Sequence, residues 1–203
     1  MKTVRLLIMA TGIVFINFFT ACSSNDDNTP NNTEITQADK DALLFMLEEE
    51  KLARDTYAYL YDLWGIVQFS NIKTSEQSHM NAVANLLNIY NVSYTVLQEG
   101  LFANQDLQNL YNQFIIEGAI NQANALQIGA TIEDLDIVDL ENNINATSNT
   151  TIMSVFESLQ CGSRNHLRSF VSAIQVSGGT YTPQFLSQEE YNQIISSSIE
   201  RCN

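Results

Sequence analysis

The fold is decided by residues 70–90, which read SNIKTSEQSHMNAVANLLNIY. Apolar residues recur in this segment at intervals of three and four, which predicts one amphipathic helix. Glu76 and His79 interrupt the apolar stripe, and residues three apart share one face of a helix, so both side chains are expected to point into the core. A buried carboxylate without a partner costs several kcal/mol. The helix therefore needs something inside the protein that binds Glu76.

Three further predicted helices carry apolar stripes that are interrupted in the same way. The interrupting residues are Glu50 in the first helix, Glu133 and Asp136 in the third, and His166 in the fourth. Several acids and both histidines of the chain would thus meet at mid-height in one core. One or two metal ions inside a four-helix bundle are the simplest shared partner for them.

The order of the predicted helices indicates an all-α fold. We expect a first helix capped by Thr36 and ending near Trp64, a second beginning after the cap Ser70, and core helices over 121–145 and 151–176. A short helix over 106–117 lies in the long crossover, and Ser187 caps a short C-terminal helix. Two adjacent helices, a long crossover and two more helices are the layout of a ferritin-like four-helix bundle.

The N-terminus is typical of an exported lipoprotein. Residues 1–21 have a basic start and a mostly apolar run, as a signal peptide does, and Phe19-Thr20-Ala21-Cys22 resembles a bacterial lipobox. We therefore expect lipidation at Cys22, a disordered tether over 22–35, and a helical domain over 36–203. The expected location is the bacterial cell envelope, on the periplasmic side or the cell surface. The alternative is ordinary signal cleavage with an incidental cysteine.

Net charge and cysteine content limit the molecules that the chain can bind and the bonds that it can form. The net charge of −14 argues against nucleic-acid binding, which needs a basic face. Cys161 and Cys202 are an even pair in a chain predicted to be exported, so we expect a disulfide that holds the C-terminal tail against the fourth helix. The alternative is two unpaired thiols.

Several motifs resemble known families. The first helix resembles that of rubrerythrin-like proteins in its Glu50, Ala53 and Tyr57. The second helix resembles theirs in the Glu76-x-x-His79 spacing. Most of the domain is similar to the ferritin-like family called domain of unknown function 2202. The similar segments are 48–57, 69–72, 75–80, 132–137 and 162–168.

The resemblance implies a metal centre and assigns a role to each residue. It makes Glu50 and Glu133 carboxylate ligands, Glu76 a carboxylate that bridges two metals, and His79 and His166 imidazole ligands. Di-iron bundles carry a Glu three residues before the histidine of the fourth helix, but here that position is Ser163.

Two neighbouring residues have open roles. Asp136 lies three residues after Glu133, so we predict that it replaces the missing fourth-helix acid, the alternative being a solvated surface position. Tyr57 is either a hydrogen-bond donor to the ligands or core packing.

The function that follows is a metal-binding protein whose cofactor is one or two divalent ions, iron or else manganese or zinc. A redox enzyme acting on Fe(II), O₂ or peroxide is the first hypothesis. A non-catalytic, metal-stabilised binding or structural module is the second, and a metal-free bundle is the third. A lipid anchor to the membrane, an electron-donor protein and a second copy in a homodimer are the candidate partners.

Overall fold

The fold is that of a computed structural model, in which residues 35–202 are described. This part of the chain forms six α-helices and no strand, so the predicted all-α fold is confirmed. The helices are α1 (Gln37–Trp64), α2 (Val67–Ile89), α3 (Gln105–Gly118), α4 (Gln122–Ala146), α5 (Thr150–Val176) and α6 (Gln188–Ser196). The predicted signal peptide, the lipidation site Cys22 and all but the last residue of the tether lie outside the described residues.

Four long helices form the bundle. α1 packs along α2, α4 packs along α5, and the two pairs meet through α1 with α4 and α2 with α5. α3, in the crossover, covers α1 and α4, and α6 lies against α5. Ile35, which we expected in the tether, is buried and belongs to the core.

A polar layer divides the apolar core of the bundle into two clusters. On α1, Leu47 belongs to one cluster and Leu52 to the other, with Glu49 and Glu50 between them. The other three long helices are divided in the same way. Their flanking pairs are Ile72 and Met80 on α2 and Leu159 and Leu167 on α5, whereas on α4 both Ile132 and Ile137 belong to one cluster and Leu140 to the other. The polar residues singled out in the sequence thus share one level of the bundle.

The connection between α1 and α2 is tighter than expected. Gly65 has φ +64°, a left-handed conformation that glycine adopts without steric cost, and it ends α1. The chain then enters α2 at once, with Ile66 as an N-cap that makes no side-chain hydrogen bond. The prediction that Ser70 caps this helix is wrong, because the αL turn at Gly65 already reverses the chain. Thr36 and Ser187 do cap α1 and α6 as predicted.

A buried lysine fixes the crossover to α1. The Nζ atom of Lys51 lies 2.5 Å from Asp55 Oδ2 and donates to the carbonyl oxygens of Gln98 and Leu101, each at 3.0 Å. Asp55 also accepts from the backbone N–H of Gly100. Because Lys51 is buried, loss of Asp55 would leave its charge without a carboxylate, whereas Asp55 is also paired with Arg54 at 2.6 Å.

The C-terminal tail is held against α5 by two kinds of bond. Cys161 and Cys202 are joined by a disulfide. Glu200 accepts hydrogen bonds from Arg164 at 2.5 Å and from Arg168 at 2.7 Å. Hydrogen bonds from Arg164, and then from Arg168, lower the pKa of Glu200 to about 2 although partial burial acts against them. The tail therefore carries a paired carboxylate at neutral pH.

We expect Cys202→Ser to lower thermal stability. The disulfide closes a loop across 41 residues, and the loss of such a constraint costs about 2–4 kcal/mol, or about 5–10 °C in Tm for a domain of this size. Thermal denaturation measured by circular dichroism checks the shift. Wild-type protein treated with dithiothreitol is the matched control, and a variant that melts like the oxidised wild type would contradict the prediction.

Candidate metal centre

Glu76 of α2 stands between the two histidines. Its Oε2 lies 2.9 Å from Nδ1 of His79 on the same helix, and its Oε1 lies 2.8 Å from Nδ1 of His166 on α5. The imidazoles lie roughly parallel, with ring centroids 5.6 Å apart. Each oxygen of one carboxylate therefore faces a different imidazole nitrogen.

Each histidine also approaches a second carboxylate. Glu50 Oε2 lies 3.1 Å from His79 Nδ1, and Glu133 Oε2 lies 3.4 Å from His166 Nδ1. The result is two triads that share Glu76, namely Glu50, Glu76 and His79, and Glu76, Glu133 and His166. The donor atoms within each triad lie within 4.8 Å of one another. The bundle thus brings together five of the six predicted ligands.

Several donor atoms in this layer lack hydrogen bonds although they are buried. They are Glu50 Oε1, Glu76 Oε1, Asp136 Oδ1 and His166 Nδ1. Glu76 Oε1 and His166 Nδ1 are only 2.8 Å apart, yet their orientation does not meet hydrogen-bond geometry. Buried polar atoms are nearly always paired, so these atoms fit a set of ligands aimed at a common cation.

The electrostatics of the centre reflect an excess of acids. Burial and the charge of Asp136 raise the pKa of Glu50 well above its usual value. Burial also favours neutral histidine, but the carboxylates beside the imidazoles outweigh it. Those carboxylates raise the pKa of His79 well above normal and that of His166 to about 10. In turn, the two histidines overcome burial and lower the pKa of Glu76. The layer therefore attracts positive charge from protons or from metal ions.

Three residues outside the triads orient them. Tyr57, which is fully buried, donates to Glu133 Oε1 at 2.5 Å. Ser75 Oγ lies 3.0 Å from His166 Nε2, the ring nitrogen remote from the carboxylates. Such bonds fix the rings and carboxylates of metal sites in position. Gly162 leaves room for His79, because a Cβ there would come within 2.7 Å of the ring.

Asp136 is placed differently from the prediction, since it lies outside both triads. Its Oδ2 contacts Ser163 Oγ, which also lies 3.0 Å from the carbonyl oxygen of Leu159. The Ser163 hydroxyl donates to the Asp136 carboxylate, and this hydrogen bond by itself lowers the pKa of Asp136. Burial and the charge of Glu133 outweigh it and raise the pKa to about 8. Asp136 thus bonds to Ser163 beside the triads, while its Oδ1 has no hydrogen-bond partner.

The sequence analysis missed Glu49, Ser75 and Gly162. Glu49 is 2% exposed, and a signal for it was present. Phe45, Glu49, Leu52 and Thr56 recur at three-and-four spacing and form a second inward stripe on α1. Ser75 and Gly162 carried no such signal, because their contacts are with residues of other helices.

Comparison with known proteins identifies the family. The model of the family described as "Uncharacterized protein domain (DUF2202)" matches residues 39–198. The chain belongs to this family. The predicted membership is confirmed, and this DUF2202 domain includes all six helices of the described residues apart from the first two residues of α1.

A solved relative shares the fold of this DUF2202 domain. "Uncharacterized protein MJ0754" of Methanocaldococcus jannaschii is 49% identical over 169 residues, covering 82% of this chain and 91% of the relative. The crystal structure of hypothetical protein MJ0754 from Methanococcus jannaschii matches with a TM-score of 0.81, over 82% of this chain and 96% of that chain. The helical bundle is therefore shared by both proteins.

The predicted location in a bacterial cell envelope is wrong. The relative at 49% identity comes from an archaeon, so the domain does not depend on a bacterial envelope. Among residues 35–202, no helix has the length and apolar character needed to cross a membrane.

We expect Gly162→Ala to reveal how closely His79 packs against α5. Alanine normally stabilises a helix interior by about 1 kcal/mol relative to glycine, but here the new methyl group meets the imidazole. The substitution should therefore give no gain, or a loss, in the free energy of unfolding in the wild-type background. In a His79→Ala background it should give the normal gain. Urea denaturation of the four proteins checks this, and an equal gain in both backgrounds would exclude the contact.

Proposed function

We propose that this bundle is a two-metal protein in which Glu76 bridges the ions. The observation that carries the proposal is the position of Glu76, whose two oxygens face the Nδ1 atoms of two histidines on different helices. Glu50 and His79 would complete one side, and Glu133 and His166 the other. The buried donor atoms without hydrogen bonds support this arrangement.

The donor set narrows the choice of metal. Carboxylate and imidazole ligands suit iron and manganese, and they also accept zinc. Three carboxylates and two imidazoles are too few to fill two octahedral shells, so open positions would remain for water, O₂ or peroxide. We infer iron or manganese as the physiological ion, because these metals use such open positions in redox chemistry.

The reaction that fits best is oxidation of Fe(II) or consumption of peroxide. When bound, a pair of iron or manganese ions supplies the electrons that reduce O₂ or peroxide. The chain contributes the surroundings of this chemistry. Tyr57 holds a proton at Glu133 Oε1, and the two apolar clusters keep bulk water away from the layer. Electrons would come from Fe(II) itself or from a donor protein.

A non-catalytic role is the second candidate. Buried acids interrupt the core on α1, α2 and α4, and burying these charges without a counter-ion is costly. A bound ion would compensate them and could serve stability alone. In that case the protein would be a metal-stabilised binding module.

Metal binding is tested with Glu76→Gln. The amide keeps the size of the side chain but removes the charge shared by both triads. We expect the purified wild type to bind up to two Mn²⁺ or Fe²⁺ ions per chain and the variant to lose at least one, as measured by metal analysis after dialysis. Glu157→Gln, on an exposed position of α5, is the matched control and should bind like wild type. Equal metal content in all three proteins would refute the centre.

Turnover then separates the two candidate functions. Wild type and Glu157→Gln loaded with Fe(II) should oxidise further Fe(II) in the presence of O₂ or H₂O₂, whereas Glu76→Gln should not. Formation of Fe(III) followed by absorbance measures the rate. Metal-loaded wild type that oxidises no Fe(II) would support the non-catalytic module instead.

Ser75→Ala tests the support of His166. Without the hydroxyl, His166 Nε2 loses its partner, and loss of such a bond typically weakens metal binding about 10–100-fold. Ser78→Ala is the control, because Ser78 lies on the same helix and bonds only to the backbone of Thr74. Competition with a chelator gives the affinities. Ser75→Thr should restore tight binding, and unchanged affinity in Ser75→Ala would rule out the supporting role.

A further inference from the structure

Glu49 carries a buried carboxylate that the proposed centre does not use. It precedes Glu50 on α1 and is 2% exposed, and neither of its oxygens has a hydrogen-bond partner. A buried carboxylate in this condition is rare, because its desolvation is compensated by nothing.

The neighbours of Glu49 are also acids. The charged groups that act most strongly on it are Asp136 and Asp139 of α4 and Glu50 of its own helix. Asp139 is close enough to share a proton with it. Two facing carboxylates cannot donate to each other when ionised, so the pair must hold either a proton or a cation.

The pair combines a partly exposed acid with a buried one. Asp139 is partly exposed, Glu49 is buried, and Glu50, the next residue of α1, belongs to the first triad. The acids that act on Glu49 thus include both a carboxylate accessible to solvent and a residue of the centre. A cluster of one sign of charge concentrates ions of the opposite sign.

We propose that Glu49 and Asp139 hold a divalent cation on its way into the metal centre. The site takes small, hard divalent ions such as Mn²⁺ and Fe²⁺, which accept carboxylate oxygens and retain water in their remaining positions. Because two carboxylates are a sparse ligand set, this ion is bound more weakly than those of the triads and passes inward to Glu50. The inference rests on the proposed function, since an entry site has a purpose only if the centre binds metal.

The test measures, in the full chain, how many Mn²⁺ ions bind and how fast they bind. Loss of the electron paramagnetic resonance signal of free Mn²⁺ gives the number of bound ions, and stopped-flow mixing gives the loading rate. Glu49→Gln is expected to bind one weakly held ion fewer than wild type, to keep the ions of the centre, and to load about tenfold more slowly. Asp62→Asn, which removes an exposed acid from the same helix, should match wild type.

Asp139→Asn provides a second, milder variant, because its side chain is partly exposed. Asp139→Asn should also bind one ion fewer and load more slowly than wild type. If Glu49→Gln does not fold, Asp139→Asn alone tests the entry site. Wild-type ion count and loading rate in these variants would show that the pair holds only a proton, and would overturn the entry site while leaving the centre intact. If wild type bound no Mn²⁺, or if Glu76→Gln kept every ion, the proposed centre itself would fail.

Discussion

The two contacts of the Glu76 carboxylate are the constraint on which the rest of the structure depends. This side chain, 1% exposed, meets His79 on its own helix and His166 on α5, and each histidine meets a further carboxylate. The contacts thereby connect α1 and α2 with α4 and α5 at one level. The acids at this level outnumber the histidines. Their negative charge therefore has to be balanced by protons or by cations.

The polar layer has consequences for packing as well as for chemistry. It separates two apolar clusters that would otherwise be continuous, and it limits which residues fit around it. Gly162 admits the ring of His79, and Tyr57 is held by Glu133. Buried ionic groups contribute little to stability by themselves. Their presence in the core agrees with the metal centre proposed above.

Sequence reasoning succeeded where periodicity was the deciding quantity. The stripes gave the all-α fold, five of the six helix starts to within one residue, and five residues that meet in the triads. It erred at Ser70, where a glycine in the αL conformation set the start of α2. The lipobox pattern suggested a bacterial envelope protein, whereas the family extends to an archaeon. Local pattern is a weak guide in both cases, because neither backbone turns nor cellular location follow from helical spacing.

The sequence by itself determined which residues point inward, because helical spacing fixes the direction of a side chain relative to its own helix. Only the tertiary structure decided what each of them meets. Asp136 contacts Ser163 instead of joining a triad, and Ser75 reaches His166. These pairings depend on how neighbouring helices are rotated and shifted along one another. That rotation and shift come from the packing of whole faces, which no single stretch of sequence specifies.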